Sequence, residues 1–321
     1  MDKIWQAQWI MDPEFYGRPP LNVFHKEMEN PQPPKHRDDL KNRHMLVRKE
    51  FYLDSLDEQA PALLDITADD YYKLYINGHF AAQGPAPGYY FHYYYNRHDI
   101  SALLCPGKNV IAVHVYYQGL INRVWNSGDY RQGLIAELKT GGRLVLKSDR
   151  SWKYSICKAY SSGGLIGYET QYLENIDASL LEPRWRDPDY DDREWQPVWE
   201  NPADDHKLFF QETRPVDVYR LKPLYVAAKA PGHYLIDFGQ EITGSLTLEA
   251  HGCKGQVIEL RCGEEMADQN TVRYQMRCNC DYQEFWTLSG RDHDVLEHFD
   301  YKAFRYAEVI GPEGAILPST I

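Results

Sequence analysis

The feature that most constrains this chain is its hydrophobic period: apolar residues recur at every second position in short runs divided by turn residues, and runs at helical spacing are scarce. Successive side chains of a strand point to opposite faces, so half-buried antiparallel strands leave this pattern in a sequence. Tyr72, Leu74 and Ile76 share one face and Lys73 and Tyr75 the other. That run ends at Asn77-Gly78, a pair able to adopt the positive φ of a two-residue hairpin. After the turn at Pro106-Gly107, Ile111, Val113 and Val115 alternate with Ala112 and His114, and His114 reads as a packed or surface histidine. Leu246 and Leu248, then Ile258, Leu260 and Cys262, repeat the pattern. The sequence predicts an all-β protein, and the absence of a repeat at solenoid period favours antiparallel β-sandwiches over a propeller.

A chain of 321 residues exceeds one ordinary hydrophobic core, which predicts two domains. Two stretches interrupt the alternation. Residues 11–45 hold Pro13, Pro19, Pro20, Pro31, Pro33 and Pro34 with few periodic apolar positions, which predicts an irregular arm before a first substantial strand near Met45. Asn201-Pro-Ala-Asp-Asp-His206 and Thr213-Arg-Pro215 form the second interruption. The predicted organisation is a first sandwich over 1–200, a linker over 201–213 and a smaller sandwich over 214–321.

Lysine and arginine number 35 against 47 aspartates and glutamates, a net charge of −12 that argues against nucleic acid or an anionic membrane as partner. No apolar run has the length of a signal peptide or a membrane span, so the expectation is a cytoplasmic protein with a neutral ligand left open. Cys105, Cys157, Cys253, Cys262, Cys278 and Cys280 are expected to be free thiols. Cys278-Asn-Cys280 has its sulfurs one residue apart with no second pair at matching spacing, which argues against zinc.

Candidate chemistry is sparse. Asp237 and Glu241, or Glu264-Glu265, could form a carboxylate pair across a loop, but acidic residues at strand ends are ordinarily solvated. No Gly-x-Ser-x-Gly elbow precedes a helical stretch. The run Tyr89-Tyr-Phe-His-Tyr-Tyr-Tyr95 suits strand packing better than sugar contact. The better saccharide candidate is Asn122–Asp129, where Trp125 stands beside Arg123, Asn126 and Asp129 on an expected exposed loop. An aromatic face next to hydrogen-bonding groups suits the C–H face and hydroxyls of a neutral sugar.

Several segments, in order along the chain, resemble the amino-terminal half of bacterial α-L-rhamnosidases. Trp5-Gln-Ala-Gln-Trp-Ile10 is similar to the family's opening strand, and Tyr72-Lys-Leu-Tyr-Ile-Asn-Gly78 with Ala86-Pro-Gly-Tyr89 to its hairpin and following loop. Asp99-Ile-Ser-Ala-Leu-Leu104 and Gly107–Val113 resemble its next turn and strand. Glu174-Asn-Ile-Asp-Ala178 resembles a Glu-x-Tyr-Asp-Ala segment, with isoleucine in place of tyrosine. Asp191-Asp-Arg-Glu-Trp195 is similar to the corner that closes galactose-binding-like sandwiches, and Tyr234–Glu241 with Tyr301–Val309 to the β-domain preceding the family's helical barrel.

The resemblance implies a galactose-binding-like jelly roll followed by a smaller concanavalin-like sandwich. It also implies an (α/α)₆ barrel, absent from this sequence or supplied as a separate polypeptide, that carries the acidic pair of an inverting hydrolase. No residue here matches either catalytic acid. The expectation is a chain without hydrolytic activity of its own, or alternatively a stand-alone carbohydrate-binding module for rhamnose-containing glycans. Some members of the family bind L-rhamnose through calcium in their amino-terminal sandwiches, and here Glu174, Asn175 and Asp177 could supply part of an oxygen set. Asp187, Asp189, Asp191 and Asp192 look calcium-like too, although Trp185 and Trp195 point to a structural corner.

Overall fold

The hairpin expected at Asn77-Gly78 joins strand Tyr71–Ile76 to strand His79–Gly84, with φ of 50° at Asn77 and 85° at Gly78. It belongs to a computed structural model that describes residues 3–21, 35–56, 60–121, 128–317 and 319. Two units divide the chain. The first comprises Met1–Cys157 and Glu182–Asp217, the second Lys158–Leu181 and Val218–Ile321.

Two sheets face one another in the first unit. One runs Gln196–Pro197, Lys153–Cys157, Arg43–Leu53, Gly107–Tyr117, Tyr71–Ile76, His79–Gly84. The other runs Trp199–Glu200, Ile10–Met11, Gly133–Thr140, Ala62–Asp69, Tyr93–Asp99, Leu208–Phe210, with Arg143–Lys147 also paired to Gly133–Thr140. All pairings are antiparallel except Leu208–Phe210 along Tyr93–Asp99. Tyr72, Leu74, Ile76, Ile111, Val113 and Val115 from the first sheet meet Leu64, Ile66, Leu134, Ala136 and Leu138 from the second in one buried core. The period-two reading thus assigned these faces correctly. His114, on the opposite face, is packed: it lies 5% exposed with Nε2 3.0 Å from Nδ1 of His44.

The corner at 184–195 closes over that outer face. Trp185 and Trp195 stack at 6.2 Å, and the fully buried Arg48 points into the corner. Its guanidinium donates to the carbonyls of Trp185 and Asp187 and, at 3.2 Å, to the carboxylate of Asp192. Lys153 Nζ reaches the same carboxylate at 2.8 Å. Asp187 and Asp189 pair with Arg184, and Asp191 with Arg193. The acidic run is therefore taken up by basic neighbours and a buried guanidinium.

The second unit is a seven-stranded sheet, Tyr160–Ile166, Gln171–Asp177, Gln283–Thr287, Val257–Gly263, Lys302–Ile310, His233–Gly244, Tyr225–Ala230, with a two-stranded sheet of Glu249–Ala250 and Asp294–Val295. Gln171–Asp177 runs parallel to Gln283–Thr287. Ile258, Leu260, Cys262, Leu246, Leu248, Trp286 and Phe304 form its core. Asp237 sits at a register shift in strand His233–Gly244, where its carboxylate accepts from the Gly239 amide at 2.7 Å and pairs with Arg305.

The boundary expected at 201–213 needs correction. Lys158–Leu181 leaves the first unit to form an edge of the second unit's sheet, and the supposed linker carries part of the first unit. Tyr160–Ile166 pairs with its neighbour Gln171–Asp177, and the strand that ties both to the second unit, Gln283–Thr287, lies over 100 residues away in sequence, so no local signal marks the crossing. Among the described residues, no helix is long and apolar enough to cross a membrane.

Replacing Arg48 by methionine leaves two carbonyls and part of Asp192 buried without their donor. Removing one member of such a buried set costs about 3–5 kcal/mol. Urea denaturation should show that loss in the first unit's transition, with the second unit's transition unchanged.

Candidate functional site

Among the four residues of the predicted saccharide set, Arg123, Trp125 and Asn126 lie outside the described residues. Asp129 is described, and it is buried at 4% exposure. Its Oδ2 accepts from Arg131 Nη1 at 2.5 Å, its Oδ1 from the Arg131 amide at 3.2 Å and its carbonyl from the Leu21 amide. Asp129 therefore serves as the base of the loop. The hydroxyl of buried Tyr117 accepts from the amides of Gly128 and Tyr130 and so fixes the same stretch.

A wider polar centre surrounds this base. The Arg131 guanidinium also donates to Asp205, at 2.6 and 3.1 Å, and lies 3.9 Å over the ring of Tyr90. His206 stacks on Trp9 at 4.6 Å, with Nδ1 2.9 Å from Asp204 and Nε2 3.1 Å from Asp69. Asp70 accepts from the Gln118 amide at 2.6 Å. Burial disfavours the charged imidazole, but the charge and hydrogen bond of Asp204, then those of Asp69, outweigh it and raise His206 to about 10. Burial and then the nearby Asp69 push the Asp129 carboxyl up to about 7, against the pull of Arg131 and His206. The sequence reading missed this centre. Asp204-Asp205-His206 carried the signal, since two acids beside a histidine is more than a linker needs.

The aromatic run 89–95 divides. Tyr93 and Tyr95 are buried, while Tyr89 and Phe91 are 40% and 43% exposed and stack with planes 2° apart. His92 stacks on exposed Phe209 at 4.1 Å. Packing accounts for part of the run, and the loop end presents rings to solvent.

Glu174, Asn175 and Asp177 do not converge. Alternation along strand Gln171–Asp177 sends Glu174 to one face and the other two to the opposite face. Buried Glu174 accepts from the amides of Phe299 and Asp300, Asn175 from the Phe285 amide and Asp177 from the amide and hydroxyl of Ser179. These contacts fit a structural set, and their donors do not fit a shared calcium. Beside Glu174, Glu284 receives Lys302 Nζ at 2.6 Å and lies 3.0 Å from His298 Nε2. Burial opposes ionisation of Glu284, yet Lys302 and His298 prevail and hold it at about 2. Among the described residues no group of three or more histidine, cysteine or acidic side chains is placed to hold a metal ion.

Two successive all-β units of this kind define the class, a tandem β-sandwich protein. The model of the α-L-rhamnosidase N-terminal domain matches residues 57–220, and that of the bacterial α-L-rhamnosidase concanavalin-like domain matches 227–321. The chain belongs to the bacterial α-L-rhamnosidase family. It is 27% identical over 276 residues to an α-L-rhamnosidase of Streptomyces avermitilis, covering 81% of this chain and 26% of that enzyme. It is 24% identical over 305 residues to one of Formosa agariphila, covering 88% and 31%. Among solved structures, the α-L-rhamnosidase of Aspergillus terreus is 26% identical with a TM-score of 0.70, over 96% of this chain and 34% of that one. The fold is shared with the enzyme of Dictyoglomus thermophilum at 22% identity and a TM-score of 0.73, over 98% and 35%. The chain thus spans about a quarter to a third of the length of the curated relatives it matches.

The raised pKa of His206 has a definite pH signature. Its ordinary value is 6.5, so the stability it contributes is complete below that value and is lost as pH rises through about 10. Thermal unfolding followed from pH 7 to 10.5 should show the first unit weakening over that interval. Removing one neighbouring charge with Asp204→Asn should move the fall about one pH unit lower or more.

Proposed function

We propose that this chain is the non-catalytic front half of an α-L-rhamnosidase-like glycoside hydrolase, whose parent reaction is hydrolysis of terminal α-L-rhamnosides with inversion. The observation that carries the reading is the tandem match of two β-domain models, over a chain that spans about a quarter to a third of its relatives. Inverting hydrolysis needs two carboxyl groups about 6.5–9.5 Å apart across a cleft that admits sugar and water. Of the carboxylates considered earlier, Asp237 is held by Arg305 and Glu265 by Arg273, while Glu241 and Glu264 are exposed, with Glu241 raised by partial burial and then by the charge of Glu264. The acidic pair belongs to a helical barrel, joined to this chain or separate, and the present units act as scaffold beside the substrate. A cytoplasmic location is part of the proposal, on the six free thiols.

A second reading, a carbohydrate-binding module for rhamnose-containing glycans, is favoured by the exposed stacked rings of Tyr89 and Phe91. One rhamnosidase that this chain resembles, that of Streptomyces avermitilis, has been solved with L-rhamnose.

Purified protein incubated with an aryl α-L-rhamnoside should give no turnover above the uncatalysed rate. Turnover that survives repurification and disappears with a point mutation in this chain overturns the first reading. Calorimetric titration with rhamnose-containing oligosaccharides, with and without calcium, tests the second: heat that vanishes in Trp125→Ala supports it, and no heat at millimolar sugar refutes it.

A further inference from the structure

Cys278-Asn-Cys280 in the second unit has no part in either reading: two free thiols, one residue apart, the first exposed and the second half-buried. The pair sits at the tip of a small hairpin. Gln275 faces Asp281 across a single bridge, the Met276 amide donates to the Cys280 carbonyl at 2.9 Å, and the Cys280 amide to the Arg277 carbonyl at 3.3 Å. Cys278 and Asn279 both adopt left-handed backbone, with φ of 61° and 59°. An extended residue between them would set the two cysteine Cα atoms about 7 Å apart, at the limit for a disulfide, and the left-handed turn at Asn279 folds them closer.

Both sulfurs accept hydrogen bonds. A second left-handed turn, Gly167-Tyr168-Glu169 with φ of 58°, 61° and 62°, lies against the first. The Tyr168 hydroxyl donates to Cys278 Sγ at 3.2 Å, and Cys280 Sγ accepts from the Tyr282 hydroxyl and the Gly167 amide. The same Gly167 amide donates to the Asn279 carbonyl at 3.2 Å, and Asn279 Nδ2 to the Leu165 carbonyl at 3.0 Å. Donors aimed at sulfur favour the thiolate, which is the nucleophilic form. Burial pushes the Cys280 thiol up against the pull of Tyr282, and the charge of Cys278 adds to the rise, so the two sulfurs lie within reach of one another's field. First attack on an oxidant therefore falls to exposed Cys278, with Cys280 as the resolving partner.

We infer that Cys278 and Cys280 form a dithiol that a hydroperoxide oxidises to an intramolecular disulfide, and that its oxidation state sets how tightly the 277–280 turn holds the 165–170 loop. With hydrogen peroxide, the Cys278 thiolate attacks one oxygen: an S–O bond forms, the O–O bond breaks and hydroxide leaves. The Cys280 thiolate then attacks the Cys278 sulfenic sulfur, so that an S–S bond forms, the S–O bond breaks and a second hydroxide leaves. Two electrons pass from the sulfurs to the peroxide, and the two thiol protons convert the hydroxides to water. Turning Cys278 Sγ towards Cys280 takes it from the Tyr168 hydroxyl, which loosens the loop that joins Tyr160–Ile166 to Gln171–Asp177.

The test treats the reduced full chain with one equivalent of hydrogen peroxide, alkylates the remaining thiols and digests with trypsin. Cleavage after Arg277 and Arg291 leaves both sulfurs in one peptide, Cys278–Arg291, that holds no other cysteine. That peptide should lose two hydrogens and regain them with dithiothreitol. It should react about tenfold or more faster than Cys105 or Cys253, exposed thiols with no second cysteine beside them in sequence. Tyr168→Phe should slow disulfide formation about threefold or more, and amide exchange at 167–170 should quicken on oxidation. Three outcomes overturn the dithiol: both thiols retained while Cys105 or Cys253 reacts, Cys278 carried to sulfinic acid with Cys280 still alkylated, or a disulfide between two chains. An equal rate in Tyr168→Phe overturns the role of the hydroxyl, and unchanged exchange at 167–170 overturns the coupling to the loop.

Discussion

The first sandwich depends on a return of the chain. At Cys157 the backbone leaves it to build an edge of the second sheet, and at Glu182 it comes back with the pieces that close the first unit. Those 36 residues, 182–217, bring Trp185 and Trp195 over Arg48, the strand Trp199–Glu200 against Ile10–Met11, His206 onto Trp9, and Leu208–Phe210 alongside Tyr93–Asp99. Without them the buried guanidiniums of Arg48 and Arg131 would lack Asp192 and Asp205. Hydrophobic burial builds the layers, but this late segment satisfies the charges the layers enclose.

Those enclosed charges follow one rule. A buried ion is tolerated only with good geometry and full hydrogen bonding, because its desolvation cost is large. Arg131 lies between Asp129 and Asp205, His206 between Asp69 and Asp204, and Lys302 beside Glu284. The first two sets join residues more than 70 apart in sequence and tie a sheet to a loop, while Lys302 and Glu284 stand on two strands of one sheet. This assigns many acidic residues of an acidic protein to architecture, and it separates structural carboxylates from those that remain open to a ligand. Asp129 and Glu174, both candidates from sequence, fall in the structural class.

Membership of the α-L-rhamnosidase family fits this division. The buried ionic sets hold charged side chains inside each unit, and the stacked rings of Tyr89 and Phe91 lie exposed.

The sequence by itself determined what short-range physics encodes. Alternation assigned Tyr72, Leu74 and Ile76, and likewise Ile111, Val113 and Val115, to a core face. Asn77-Gly78 set a hairpin because those residues tolerate positive φ, and Trp185 with Trp195 marked a corner. The tertiary structure alone decided that 158–181 belongs to the second unit, that the supposed linker completes the first, and that Asp129 is buried under Arg131. It also decided that Glu174 faces away from Asn175 and Asp177. A strand's own alternation says which face is apolar. Which distant strand it pairs with, and which distant ion satisfies a buried charge, are set by pairing energies summed over the whole fold, and no local run of residues carries them.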